Sequence, residues 1–157
     1  MWPLQGGYHD AFTHNVNAIV EVTELLNKAA QGRDGLNFLS QPLKGSSRAL
    51  SKRSNAGLLD TQLVIGGRKT PWARQYGALT KAPASTRNYE PVALCTLESA
   101  AVLNYLMTLP SPTSDVVAAI EDGVAMLRTL SIEGKAWRKV GQFEGRCLVY
   151  APVAPTV

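Results

Sequence analysis

The chain has 157 residues, 45% of them apolar, enough to bury the core of one domain of ordinary size and too many for an intrinsically disordered chain. Net charge is +4, yet residues 44–87 hold nine Lys or Arg and one acid, Asp60, so that stretch carries +8 and the rest of the chain nets −4. No apolar run approaches the roughly 18 residues that span a bilayer, so a membrane partner is not expected.

In chain order, Met1-Trp2-Pro3-Leu4-Gln5-Gly6-Gly7 has neither a basic start nor an apolar core, so no signal peptide is visible. Residues 17–31 read as an amphipathic helix: Ile19, Val22, Leu26 and Ala29 share one face, with Asn15 or Asn17 as cap and Gly32 as stop. Residues 33–43, with Gly35 and Pro42, read as a loop. A weaker helix is expected from Ser46 to about Leu63, because Asn55 and Gly57 lower its propensity. Lys44, Arg48 and Lys52 at i, i+4 and i+8 would form a basic stripe.

Residues 66–93 are broken by glycine and proline and carry no helical period; long irregular segments of this kind are usually functional. A third helix is expected over residues 96–109, capped by Thr96, with Glu98 near the positive end of its dipole and Pro110-Ser111-Pro112 ending it. Thr113 or Ser114 then caps a fourth, whose face is Val117, Ile120, Val124 and Leu127, closing near Ser131 and Gly134. The tail from 137 to 157 alternates weakly around Cys147 and Tyr150 and suits a short strand or an extended segment. The sum is a single all-α domain over 1–157 with long loops and little strand.

The basic stretch includes Arg68-Lys69-Thr70-Pro71-Trp72-Ala73-Arg74-Gln75-Tyr76, which mixes cations, aromatic faces and amides. Such a mixture suits an anionic ligand built from flat, hydroxyl-rich rings, either an acidic polysaccharide or a nucleic acid. Other chemistry is poorly supported. His9 and His14 do not have the spacing of a zinc helix, and each reads as a hydrogen-bonded structural group. Gly66-Gly67-Arg68-Lys69-Thr70 matches only the end of a phosphate loop, and no nucleophile, base and orienting group can be assembled. Cys95 and Cys147 permit at most one internal disulfide and have no metal-binding spacing; each is expected as a buried free thiol.

Several blocks together resemble family-10 pectate lyases. They begin with the segment Gly6-Gly7-Tyr8-His9-Asp10-Ala11-Phe12-Thr13-His14-Asn15-Val16-Asn17-Ala18 and continue with Thr61-Gln62 and Lys69-Thr70-Pro71-Trp72-Ala73-Arg74-Gln75-Tyr76. Leu79-Thr80-Lys81-Ala82-Pro83, Arg87-Asn88-Tyr89-Glu90, Glu98-Ser99, Leu106-Met107 and Pro110-Ser111-Pro112 follow in the family's order, over about residues 2–134. The resemblance implies a partial, (α/α) toroid-like helical domain, the middle half of a catalytic domain that is secreted or periplasmic and acts on polygalacturonate.

It also implies β-elimination: calcium draws charge from the uronate carboxylate and an arginine removes the acidified ring proton. By resemblance, Lys69, Arg74 and Arg87 would pair with uronate carboxylates, Trp72 or Tyr89 would stack on sugar rings, and Asn15, Asn17 and Gln75 would bond hydroxyls. Plainer roles are open beside these: Trp72 in the core, Arg87 with Glu90 as a surface pair, Asn15 as a cap. Two departures stand out. Where the family has aspartate in its asparagine motif this chain has Val16, and where it has His-Asp after the tryptophan segment this chain has Tyr76-Gly77. Neither Val16 nor Gly77 offers calcium an oxygen, so calcium binding is doubtful here. Arg138 and Arg146 lie near the expected position of the catalytic base without matching it, which leaves the catalytic residue unassigned. The expectation is weak binding and poor cleavage of polygalacturonate. The alternative is a non-enzymatic all-α module that binds nucleic acid through its basic region.

Overall fold

A computed structural model describes residues 10–85 and 91–132, together with the backbone of 135–139 and 148–152. It divides into two compact units, Met1–Leu127 and Arg128–Val157. Four helices dominate: α1 (Ala18–Gln31), α2 (Gln41–Asp60), α3 (Thr96–Met107) and α4 (Ser114–Thr129). Short strand β1 (Ala11–Thr13) precedes them, and β2 (Val64–Ile65), β3 (Arg68–Lys69) and β4 (Gln75–Gly77) lie between α2 and α3. In the second unit, β5 (Lys135–Lys139) pairs antiparallel with β6 (Leu148–Pro152), placing Trp137 opposite Tyr150. The described chain is therefore all-α in class, as its periodicity indicates. Among the described residues no helix is long and apolar enough to cross a membrane.

Helix α1 buries Val20, Thr23, Ala29 and Ala30; of the expected face Ala29 is buried and Ile19 packs against the core, while Val22 is exposed. It ends on Gly32, whose φ of 67° is the left-handed conformation that glycine adopts without strain. The amides of Gly32 and Arg33 turn back onto the carbonyls of Ala29 and Lys28. Helix α2 starts earlier than the pattern suggests. Pro42 does not belong to a loop but sits in the first turn of the helix, where its missing N–H costs nothing. Buried Ala29, Ala30 and Ser51 are small, which lets α1 and α2 pack closely.

The basic stripe on α2 is partly structural. Arg48 Nη2 donates to the carbonyl of Ala30 at 3.1 Å, and Lys44 Nζ donates to the carbonyl of Asn37 at 3.1 Å. Arg48 thus places positive charge at the negative end of the α1 dipole.

Helix α3 begins at Thr96, with Cys95 rather than Thr96 in the capping position. Thr113 caps α4 by accepting the amide of Val116 at 3.4 Å. Of the expected face of α4, Ile120, Val124 and Leu127 pack against the core while Val117 is exposed, and Val116, Ala119 and Gly123 are the fully buried positions. The approach of α4 to α3 is close at Gly123, where a side chain would come within 3.0 Å of Leu103 Cδ2. Gln62 locks the same region by donating from Nε2 to the carbonyl of Ala119 at 2.9 Å.

The core gathers Leu58, Trp72, Tyr76, Val102, Leu106 and Val116. Burying each aliphatic side chain of this size contributes about 1.5–3 kcal/mol. Helix α3 is joined to α2 by the Tyr105 hydroxyl, which donates to Asn55 Oδ1 at 2.7 Å.

Candidate functional site

The chain folds residues 70–77 into the core as a rail on which the surface residues are hung. Trp72 Nε1 donates to the carbonyl of Leu58 at 2.7 Å, its backbone amide donates to Ser99 Oγ at 2.9 Å, and its carbonyl accepts the amide of Cys95 at 2.9 Å. The ring is 0% exposed. Trp72 is therefore a core post, and the expectation that it stacks on a sugar ring is corrected: no face of the indole reaches solvent. Gln75, at 2% exposure, is likewise enclosed and does not present its amide to a ligand at the surface.

Strand β4 continues the rail and pairs antiparallel with β1, in the register Ala11 to Gly77, Phe12 to Tyr76 and Thr13 to Gln75. This pairing carries the asparagine motif to Arg74. The His14 amide donates to the Arg74 carbonyl at 2.8 Å, and the Thr13 hydroxyl reaches the same oxygen at 3.3 Å. Thr13 Oγ1 also accepts the amide of Asn15 at 3.0 Å, and the Asn17 amide closes a 3-10 turn on the carbonyl of His14. Asn15 and Asn17 are half-buried, and neither side chain caps α1.

Within that turn Val16 and Asn17 both have left-handed backbones, with φ of 55° and 60°. Asparagine tolerates this conformation; a β-branched valine does not, and it is an outlier that costs about 1–2 kcal/mol. Val16 is also 78% exposed, so packing gives little in return. The backbone at this position suits Asn, Asp or Gly better than the residue it carries.

Arg74 Nε lies 3.6 Å from Glu98 Oε1, and its Nη2 donates to Cys95 Sγ at 3.6 Å. The Cys95 thiol in turn donates to Glu98 Oε2. Cys95 is half-buried, not fully buried, and is a free thiol; Cys147 lies outside the described residues. Glu98 and Cys95 are thus parts of the Arg74 environment that sequence reading assigned to helix capping or left apart. The only cue was the spacing Cys95 to Glu98 at the start of a helix, which puts both on one side of its first turn.

The other expected residues are placed apart or not described. Lys69 stands on a separate ribbon of β2 and β3, opposite Val64, with left-handed Gly66 and Gly67 at its turn. Arg87, Tyr89 and Arg146 lie outside the described residues, and Arg138 is on β5 of the second unit. At Gly77, a Cβ would meet Thr80 Oγ1 at 2.6 Å. Among the described residues no group of three or more His, Cys, Asp or Glu is arranged to hold a metal ion.

His14 departs from expectation in a different way. It is 1% exposed, and neither ring nitrogen has a hydrogen-bond partner among the described residues. Its ring sits edge-on to Tyr76, with centroids 5.5 Å apart, and near Phe12, which stacks on Tyr76. Burial lowers its pKa from 6.5 to about 4, and the charge of Glu98 opposes that shift. Burial also raises the Tyr76 phenol to about 12, while its hydroxyl accepts the amide of Ala73 at 2.7 Å.

Comparison with known proteins aligns with this arrangement. The model of the family described as pectic acid lyase matches residues 1–157. Among solved structures, the family 10 polysaccharide lyase from Cellvibrio cellulosa is 31% identical, with a TM-score of 0.80, over 87% of this chain and 43% of that one. An aspartate-to-alanine mutant of the same lyase, in complex with trigalacturonic acid, gives a TM-score of 0.79 at the same identity and coverage. The chain thus spans less than half the length of the lyase it matches. No curated protein matches it.

Proposed function

The chain belongs to the pectic acid lyase family, and we propose that its surface around Asn15, Asn17 and Arg74 binds polygalacturonate weakly and cleaves it poorly. One observation carries this reading: pairing of β1 with β4 sets the asparagine motif against Arg74, although the two lie far apart along the chain. Support for the ligand class comes from the relative that was complexed with trigalacturonic acid.

A guanidinium matches a carboxylate through two parallel N–H donors, and asparagine amides suit sugar hydroxyls. Asn15 and Asn17 are anchored by the 3-10 turn, so little backbone freedom is lost when they engage a ligand. Arg74 is held in place, but its charge is shared with Glu98, which competes with any uronate. The alternative, nucleic-acid binding through α2, has less to draw on, because Arg48 and Lys44 are committed to the carbonyls of Ala30 and Asn37.

Calcium would supply charge withdrawal at the uronate carboxylate in a lyase of this family. The residues at the two positions in question do not fit it: Val16 and Gly77 have no side-chain oxygen, and hard cations take oxygen ligands.

The reading is tested by electrophoresis through gels containing polygalacturonate, alongside an assay of unsaturated products by absorbance. Retarded migration that weakens in Arg74→Gln, with absorbance near the blank whether or not calcium is added, is the expected result. Unretarded migration would remove the binding half, and a rapid calcium-dependent rise in absorbance would remove the poor-cleavage half.

A further inference from the structure

Beside the asparagine turn, a groove of about 380 Å³ lies between the first half of α1 and the second half of α3, within the range of small-molecule sites. Asn17 belongs to its lining, so the groove shares a residue with the surface proposed to meet polygalacturonate. Glu21 and Glu24 line it from α1, and Asn104, Tyr105 and Thr108 from α3. Tyr105 is buried, whereas Glu21, Glu24, Asn104 and Thr108 are exposed, so most of its polar side chains are open to a ligand.

Two properties decide what the groove can hold. The side-chain amides of Asn17 and Asn104 make no hydrogen bond among the described residues, and each offers two donors and an acceptor. The Thr108 hydroxyl donates to the carbonyl of Tyr105 at 2.7 Å and keeps its capacity to accept. Such a set matches the hydroxyls of a sugar ring. The charge, by contrast, is negative: no Lys, Arg or His lines the groove among the described residues. Glu21 has no ion-pair partner there, and Glu24 shares Lys28 with Asp34, each at 3.1 Å. Carboxylates accept bonds from sugar hydroxyls but repel a second anion, and one like charge about 4 Å away in water weakens binding about fivefold.

We propose that this groove is a subsite for an uncharged sugar unit of the chain, a methyl-esterified galacturonosyl residue, beside the free uronate that Arg74 takes. The inference rests on the galacturonan reading above and adds the form of the substrate. Esterification removes the carboxylate that Glu21 and Glu24 would repel and leaves the ring hydroxyls for Asn17, Asn104 and Glu21. A bare metal ion is a poorer occupant, because among the described residues no three His, Cys, Asp or Glu gather to hold one.

The test is titration calorimetry of the full chain with oligogalacturonides of matched length, one set unesterified and one partly methyl-esterified. The expected result is about threefold to fivefold tighter binding of the esterified set. General attraction between polyanions and a chain of net charge +4 predicts the reverse order, since esterification removes negative charge. Asn104→Leu, at an exposed position, should abolish the preference, and Glu21→Gln should raise affinity for the unesterified set about twofold to threefold. The inference alone is overturned if the unesterified set binds through Arg74 with equal or higher affinity. It is equally overturned by a preference that survives Asn104→Leu, or by Glu21→Gln leaving the unesterified affinity unchanged. Absence of heat with both sets overturns it together with the galacturonan reading.

Discussion

Arg74 and Glu98, contributed by separate elements, meet with Nε 3.6 Å from Oε1 while the carboxylate side chain is only 5% exposed. The pair links the β4 rail to the first turn of α3 and decides how much positive charge the surface offers. A partly exposed arginine tied to a buried carboxylate is held in position but is electrically muted. Glu98→Gln should therefore raise affinity for oligogalacturonides several-fold while lowering stability, because the thiol of Cys95 and the guanidinium both lose an anionic acceptor. Binding assays at low salt, set beside urea denaturation, would check both parts. A fall in affinity would mean that Glu98 positions Arg74 for the ligand and does not compete with it.

Trp72 gives a prediction of the opposite kind. Trp72→Phe leaves the carbonyl of Leu58 without its donor and a gap where the indole was, which should cost about 2–4 kcal/mol in unfolding free energy. Affinity for polygalacturonate measured on the folded fraction should be unchanged. Lost binding at undiminished stability would return Trp72 to the ligand surface.

His14 predicts an acid-side loss of stability. Its folded pKa, about 4, lies below the unfolded value of 6.5, so the unfolded chain takes up the proton first. The contribution is intact above pH 6.5 and declines as pH falls from 6.5 to 4, at about 1.4 kcal/mol per unit and about 3 kcal/mol in all. His14→Phe should flatten that slope, and removal of two buried unbonded nitrogens should stabilise the fold at pH 7 by about 1–2 kcal/mol. Denaturation curves at pH 7 and pH 4.5 would decide it; parallel slopes for the two proteins would show that His14 is not the group responsible.

Val16 offers a gain. Val16→Asn keeps a small side chain in a left-handed position that asparagine accepts, and an exposed valine gives up little burial. Relief of about 1 kcal/mol corresponds to a rise of about 2–4 °C in melting temperature for a chain of this size. An unchanged or lowered melting temperature would show that the turn carries no strain.

What could be read beforehand divides along physical lines. Helices α1, α3 and α4 were legible because apolar residues repeat at the helical period and glycine or proline marks their ends. The start of α2 was not, since Pro42 reads equally as a loop or as the first turn of a helix. Burial of Trp72 was hidden by its neighbours: a tryptophan between cations resembles a ligand platform until tertiary packing encloses it. The meeting of Thr13 and His14 with Arg74 depends on a short ribbon between segments distant in sequence, which no local pattern encodes. Nor does sequence reveal a left-handed Val16, because a residue that fits its backbone poorly leaves no signature in composition.

The claim on which the account turns is that this surface recognises uronate chains through Arg74. Isothermal titration calorimetry of trigalacturonate into the wild type and Arg74→Gln, at low ionic strength, tests it most directly. The account predicts a weak, saturable heat for the wild type and an affinity about fivefold to tenfold lower for the variant, equivalent to about 1 kcal/mol. Absence of heat with the folded wild type, or equal affinity for both proteins, would contradict it.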